Sequence, residues 1–240
     1  MNEMPMRGLQ GRGDGWSIAD ALGFDSVTDR IALEASGLFD PDWYLDTYRD
    51  LVGHDPLTHF CQHGMKEGRR PNPYFVTDWY LRENPDVARS GVNPLLHYMR
   101  FGEAGGRAPA PFFDLCWYRT LHQAAADETL LRHFLVLRFS GTVSPLPEFD
   151  PAYYLATYPD ISAAGVDPFE HFLLWGYREG RNPSAGFDTR YYQRRYLDGA
   201  TDENPLLHYR RVRNVLTVHP MPSAALRMLL AIPGSYRLSR

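Results

Sequence analysis

The chain carries 240 residues, 44% of them apolar and 14% aromatic, with a formal net charge of −4. Fifteen Tyr and thirteen Phe point to a core of rings. Arginines spread along the whole length exclude a phosphate-binding face, which needs clustered Lys and Arg, so no nucleic-acid partner is expected.

Residues 1–15 are Gly-rich, lack the apolar stretch of a secretion signal and are expected to be disordered. The tripeptide Arg12-Gly13-Asp14 within them reads as chance. Residues 16–37 are predicted to form a capping segment, with helical patterning at Ile18–Leu22 and Val27–Ala35. Then Phe39, Phe75, Phe113, Phe149 and Phe187 open the same phrase at intervals of 36, 38, 36 and 38 residues. A period in that range means stacked supersecondary units, so residues 38–215 are expected to form an all-α, α-solenoid-like array of about five two-helix repeats.

Each unit carries two helix starts. Asp40-Pro41 and Asp150-Pro151 place a cap acceptor before a proline at the first helical position, where its missing N–H costs nothing. Asp114 and Asp188 keep the cap without the proline. Val76 breaks it, and Thr77 is expected to cap instead. The first helix is expected to continue past a proline kink at Asn84-Pro85 or Tyr158-Pro159, with Gly91 and Gly165 as left-handed ends. The second helix starts at Asp55-Pro56, Asn93-Pro94, Asp167-Pro168 and Asn204-Pro205, and Gly64, Gly102 and Gly176 are expected to stop it. The third unit lacks that proline and the fifth lacks that glycine.

One histidine recurs per unit: His59, His97, His133, His171 and His208. Copies in a stack lie about 10 Å apart, whereas metal ligands converge to about 2 Å of one centre. These five therefore read as buried structural imidazoles bonded to a backbone carbonyl or a tyrosine hydroxyl. His54, His59 and His63 form the alternative metal site, with ligand spacing on one helix. Against it, Phe101, Leu137, Trp175 and Val212 fill the His63 position elsewhere, which reads as a packing position. Asp40 and Asp42 resemble the Asp-x-Asp of nucleotide-sugar enzymes, yet only the cap recurs among the copies. Arg69, Arg107 and Arg181 are expected to bridge carboxylates such as Asp50, Asp86 or Asp160; anion recognition by the row is the alternative. No catalytic motif and no cofactor motif is present.

Specificity should sit where the copies differ while their neighbours stay fixed. In the first helix these positions are Asp42, Asp78, Cys116, Ala152 and Arg190; just before the histidine they are Thr58, Leu96, Arg132, Glu170 and Leu207. The charged members, Arg132, Glu170, Asp42, Asp78 and Arg190, are the candidates for binding a partner. Charge reversal at Arg132 or Glu170 is expected to change stability by no more than about 0.5 kcal/mol. The ring positions Trp43, Trp79, Trp117, Tyr153 and Tyr191 are expected to pack against the next unit. Residues 216–240 form an apolar and basic segment in which Ser223 can cap a helix through Ile232. It reads as a lid on the last unit, and a membrane-surface or partner-docking helix over 223–233 is the alternative. Cys61 is expected in the core and Cys116 at the surface, which suits a reducing, cytoplasmic setting.

The full phrase runs Phe-Asp-x-x-Tyr-Tyr-Leu, then Tyr-Pro-Asp, then Gly-Val-Asp/Asn-Pro, then Gly-x-x-Glu-Gly-Arg-x-Pro. It resembles tandem repeats found in bacterial proteins beside glycosyltransferase domains, including those of rhamnan-type and other surface-polysaccharide synthesis. The likeness covers about residues 38–209 and is weakest in the third unit. It implies a context of glycan assembly, carries no catalytic residue, and leaves no glycosyltransferase domain outside the repeats. The expected function is a non-catalytic scaffold for a protein partner, such as a glycosyltransferase. The alternatives are a module binding saccharide on exposed rings, and a small enzyme with an unrecognised site.

Overall fold

Helices start where the sequence places a cap. The computed structural model describes residues 26–51, 53–122, 128–200 and 202–222, and over these the chain is helical, with a single isolated bridge, Ser184 to Phe187, and no strand. The first helices of the five units are Pro41–Thr47, Thr77–Glu83, Leu115–Leu121, Pro151–Thr157 and Thr189–Tyr196. The carboxylates of Asp40, Asp114, Asp150 and Asp188 accept the backbone N–H three residues on, at 2.8–3.0 Å. That satisfies one donor which the first turn cannot pair. Thr77 does not take over the cap in the second unit. It is the first helical residue, and its hydroxyl donates to Arg69 O of the preceding unit at 2.8 Å.

Two units hold three helical segments. Asn84 and Tyr158 end the first helix, and separate short helices, Pro85–Ser90 and Pro159–Ala164, begin at the prolines. A proline without an N–H cannot close the preceding turn, so the expected kinked continuation breaks into two. Gly91 and Gly165 end these short helices in the left-handed conformation, as expected.

The second helices are Pro56–His59, Pro94–His97, Leu130–Leu137, Pro168–His171 and Pro205–Val212. In units one, two and four the helix widens into a π turn, at Phe60–Gly64, Tyr98–Gly102 and Phe172–Gly176. The glycines ending these turns are not left-handed. That role falls to Gly68, Gly106 and Gly180 in the turn that follows.

Units are tied by a repeated backbone bond. The N–H after each opening phenylalanine donates to a proline carbonyl that leads into the next unit: Asp40 to Pro71, Val76 to Pro109, Asp114 to Pro145, Asp150 to Pro183 and Asp188 to Pro220. Between the ties runs one continuous core of rings, in which Tyr44, Tyr80, Tyr118, Tyr154 and Tyr192 are fully buried. A leading helix, Ser26–Ser36, packs on the second helices of units one and two and covers the expected Val27–Ala35 segment. Asp29 meets Arg100 at 2.9 Å and Arg30 meets Asp55 at 3.3 Å. Cys61 is half-buried against the core, and Cys116 is exposed. No helix of the described residues is long and apolar enough to cross a membrane. The predicted tail 1–15, the segment Ile18–Leu22 and the helix Ser223–Ile232 lie outside the described residues.

Candidate functional site

The recurring histidine has one partner throughout. The hydroxyls of Tyr44, Tyr80, Tyr118, Tyr154 and Tyr192 lie 2.7–3.1 Å from Nδ1 of His59, His97, His133, His171 and His208. Burial pushes all five tyrosines well above their ordinary pKa. It also pulls His59, His97 and His171 below theirs. In those three pairs burial favours the neutral imidazole, and one hydrogen bond joins Nδ1 to the tyrosine hydroxyl. Only His97 is fully buried; the other four are half-buried, because the imidazole sits at the rim of the ring core.

The same hydroxyl explains the glycines. A Cβ at Gly64, Gly102 or Gly176 would stand 2.2 Å from the hydroxyl of Tyr44, Tyr80 or Tyr154. No side chain fits there while the π turn holds the glycine under the pair. Units three and five put Arg138 and Arg213 at this position, and their helices remain α to the end.

The turn arginines are spent locally. Arg69, Arg107 and Arg181 grip Asp50, Asp86 and Asp160 through both guanidinium nitrogens at 2.7–3.1 Å. Each holds its carboxyl below the usual range. Arg69 and Arg181 also lie over the rings of Tyr48 and Tyr158. This is the expected bridging role, and it leaves no row of free cations.

Arg138, released from the glycine role, reaches across the molecule and organises its most unusual cluster. Its guanidinium lies 3.2 Å from Asp40 of unit one and 3.4 Å from Asp167 of unit four. Asp167 caps the second helix of unit four with one oxygen, accepting from Phe169 and Glu170 N–H. Its other oxygen accepts the hydroxyl of Tyr74 at 2.7 Å, across 93 positions of sequence. Next to it, Glu170 accepts the indole N–H of Trp43 at 3.0 Å. Burial raises the pKa of Asp167, and burial with the Asp167 charge raises that of Glu170. Beneath these groups Tyr74, Phe134 and Phe169 form a ring cluster. A linear solenoid unit touches only its neighbours; here unit one touches units three and four. Units five and three repeat the clasp in part, where Arg210 pairs with Asp114 and Glu148, and Arg213 with Glu148.

This clasp re-reads the candidate partner residues. Glu170 is not a free surface charge, since it holds Trp43 three units away. Arg132, one position before His133, donates to Ser36 O at the end of the leading helix and pairs with Glu128. Arg132 and Glu170 thus each meet a different internal partner, Ser36 and Glu128 for the one and Trp43 for the other. In the first helix, Asp78 and Arg190 are exposed but rest on the preceding unit's turn: a Cβ on Gly68 would meet Asp78 at 2.1 Å, and one on Gly180 would meet Arg190 at 2.3 Å. Asp42, in the first unit, has no earlier turn beneath it and is exposed.

The position of His63 is a correction too. The pattern among the copies predicts packing, yet His63, Phe101 and Trp175 are exposed, Trp175 by 59%. His63 and Phe101 lie against the imidazole of their own unit, with ring centroids 5.6 and 5.9 Å apart. His54 is exposed, His59 gives Nδ1 to Tyr44, and no grouping of three or more His, Cys, Asp or Glu among the described residues could hold a metal ion.

As chemistry, the cluster offers three carboxylates, a phenol and a guanidinium. Both Asp167 oxygens are taken, and its side chain is 1% exposed, so no substrate atom can reach it. The sequence clue to the clasp was Arg138 standing in a glycine position. Its destination could not be read, because Asp40 and Asp167 lie far away in sequence. No protein-family model matches the chain, and comparisons with curated proteins and with solved structures find no match either.

Proposed function

We propose that this chain is a non-catalytic, α-solenoid-like scaffold for a protein partner, wound tightly enough for unit one to meet units three and four. The observation that carries this reading is the use of the recurrent polar side chains. Tyrosine pairs with histidine, turn arginine with aspartate, and Arg138 with Asp40 and Asp167. Groups spent on internal partners hold a shape and leave little for turnover. The partner surface is then the outer side, where Asp42 remains exposed. The resemblance of the repeats to those beside glycosyltransferases supports a glycan-assembly enzyme as the partner. The exposed thiol of Cys116 fits a reducing cytoplasm.

Incubation with nucleotide sugars and divalent cations is expected to give no turnover above background. Turnover abolished by Asp167→Asn or Glu170→Gln would overturn the reading. A second reading, saccharide binding, is favoured by one observation, the exposed rings Phe101 and Trp175 at equivalent positions. It requires that a linear glycan quench tryptophan fluorescence, and that Trp175→Ala remove the effect.

A further inference from the structure

Unit three departs from its sisters at two positions around its tyrosine–histidine pair. Four residues after the buried tyrosine stand Tyr48, Asn84, Tyr158 and Tyr196, and in unit three His122. The hydroxyls of Tyr48, Tyr158 and Tyr196 accept the backbone N–H just before the proline that leads into the next unit. The ring of His122 turns instead to the repeat histidine. Its centroid lies 5.4 Å from that of His133, with the planes inclined by 37°, and 4.4 Å from that of Tyr118. Both imidazoles are half-buried. Nδ1 of His133 is engaged by the Tyr118 hydroxyl at 2.7 Å. The other ring nitrogens of the pair make no hydrogen bond among the described residues.

The second departure is electrostatic. Arg69, Arg107 and Arg181 act on His59, His97 and His171 and oppose positive charge there. At their position unit three carries Val143, which is buried. The acidic neighbour is Glu128, whose charge reaches Tyr118 and is shared with Arg132 at 3.4 Å.

We propose that His122 and His133 form a two-imidazole site for a borderline divalent transition ion, with Zn²⁺ as its simplest occupant. Two imidazoles on one tetrahedral ion, each nitrogen about 2 Å from it, hold their ring centres roughly 5 Å apart, close to the separation here. The Tyr118 contact leaves Nε2 of His133 for the ion. The proton then stays on Nδ1 and is donated to the Tyr118 oxygen, the kind of oxygen partner that fixes a metal-bound imidazole in place. Neutral nitrogen donors favour zinc, copper, nickel or cobalt over magnesium and calcium. No third His, Cys, Asp or Glu among the described residues joins the pair, so water or a partner's side chain completes the coordination. His59 and His63 have a similar separation, 5.6 Å, but Arg69 stands against a cation there.

The test is calorimetric titration of the untagged full chain with Zn²⁺, and with Co²⁺ followed by its visible absorption. One ion per chain is expected. His122→Ala should weaken binding at least tenfold and Tyr118→Phe by about tenfold, both with helical circular dichroism retained, whereas His63→Ala should leave it unchanged. Imidazole nitrogen shifts should place the ion on Nε2 of His133 and the proton on Nδ1. Should His133→Gln fail to fold, His122→Ala and the nitrogen shifts still decide the matter. Absence of zinc binding would overturn the proposal, as would binding that survives His122→Ala. Equal losses in His63→Ala and His122→Ala, or one ion shared by two chains, would place the ion elsewhere and overturn it too.

Discussion

Units three and four share the tyrosine–histidine pair yet end their second helices in opposite ways. Unit four opens a π turn that slides Gly176 under the Tyr154 hydroxyl, leaving no room for a Cβ. Unit three keeps α geometry through Leu137, seats Arg138 at the same position and sends its guanidinium to units one and four. Both solutions preserve the hydrogen bond between the rings, at 2.9 and 2.7 Å. The difference teaches that the pair is the constant of the repeat. The residue beneath it decides whether the second helix ends in a π turn or in an arginine that reaches across the molecule.

The comparison breaks most severely at Arg138. Arg138→Met removes the cation that, among the described residues, pairs with Asp167, whose side chain is 1% exposed, and is expected to cost about 3–5 kcal/mol in denaturant unfolding. Adding Asp167→Asn should restore much of that loss, because the orphaned charge goes with it. If the double variant is no better than the single one, the clasp contributes packing and not charge pairing.

Gly176→Ala should come next, at about 1–3 kcal/mol, since the new methyl forces Tyr154 away from His171. Gly91→Ala is its control: a Cβ there meets nothing within 4 Å, leaving only the left-handed backbone to strain. Equal losses at the two glycines would show that the tyrosine hydroxyl does not select glycine.

Acidification sharpens the comparison further. Burial lowers the pKa of His59, His97 and His171 in the folded chain, so the unfolded chain binds more protons as pH falls. Their contribution is fully present above the unfolded value of about 6.5 and is lost as pH falls through the folded values. The unfolding midpoint is expected to drop between pH 8 and pH 5.5, less steeply in His97→Gln. Asp167 and Glu170 act with the opposite sign. Their raised pKa values favour the folded state below the ordinary carboxylate range, and that gain is lost as pH rises through the folded values.

The smallest effects separate a surface charge from an internal one. Asp42→Lys should stay within about 0.5 kcal/mol. Glu170→Lys should exceed that clearly, because it sets a second cation beside Arg138 and removes the acceptor of the Trp43 indole. Equal midpoints for the two would return Glu170 to the surface, where its variation among the copies first placed it.

The amino-acid sequence by itself determined the period, the helix starts, the tyrosine or carbonyl as the histidine's partner, and the Arg69, Arg107 and Arg181 bridges. Each depends on residues within one unit, and the repetition of a spacing exposes it. Only the tertiary structure decided the π turns, the clasp at Arg138 and the internal roles of Arg132 and Glu170. The physical reason is that contacts between side chains far apart in sequence depend on every helix and turn packed between them, and no spacing within one copy records that sum. Arg138 and Asp167 could be recognised singly as an odd residue and a helix cap, but their meeting belongs to the folded chain alone.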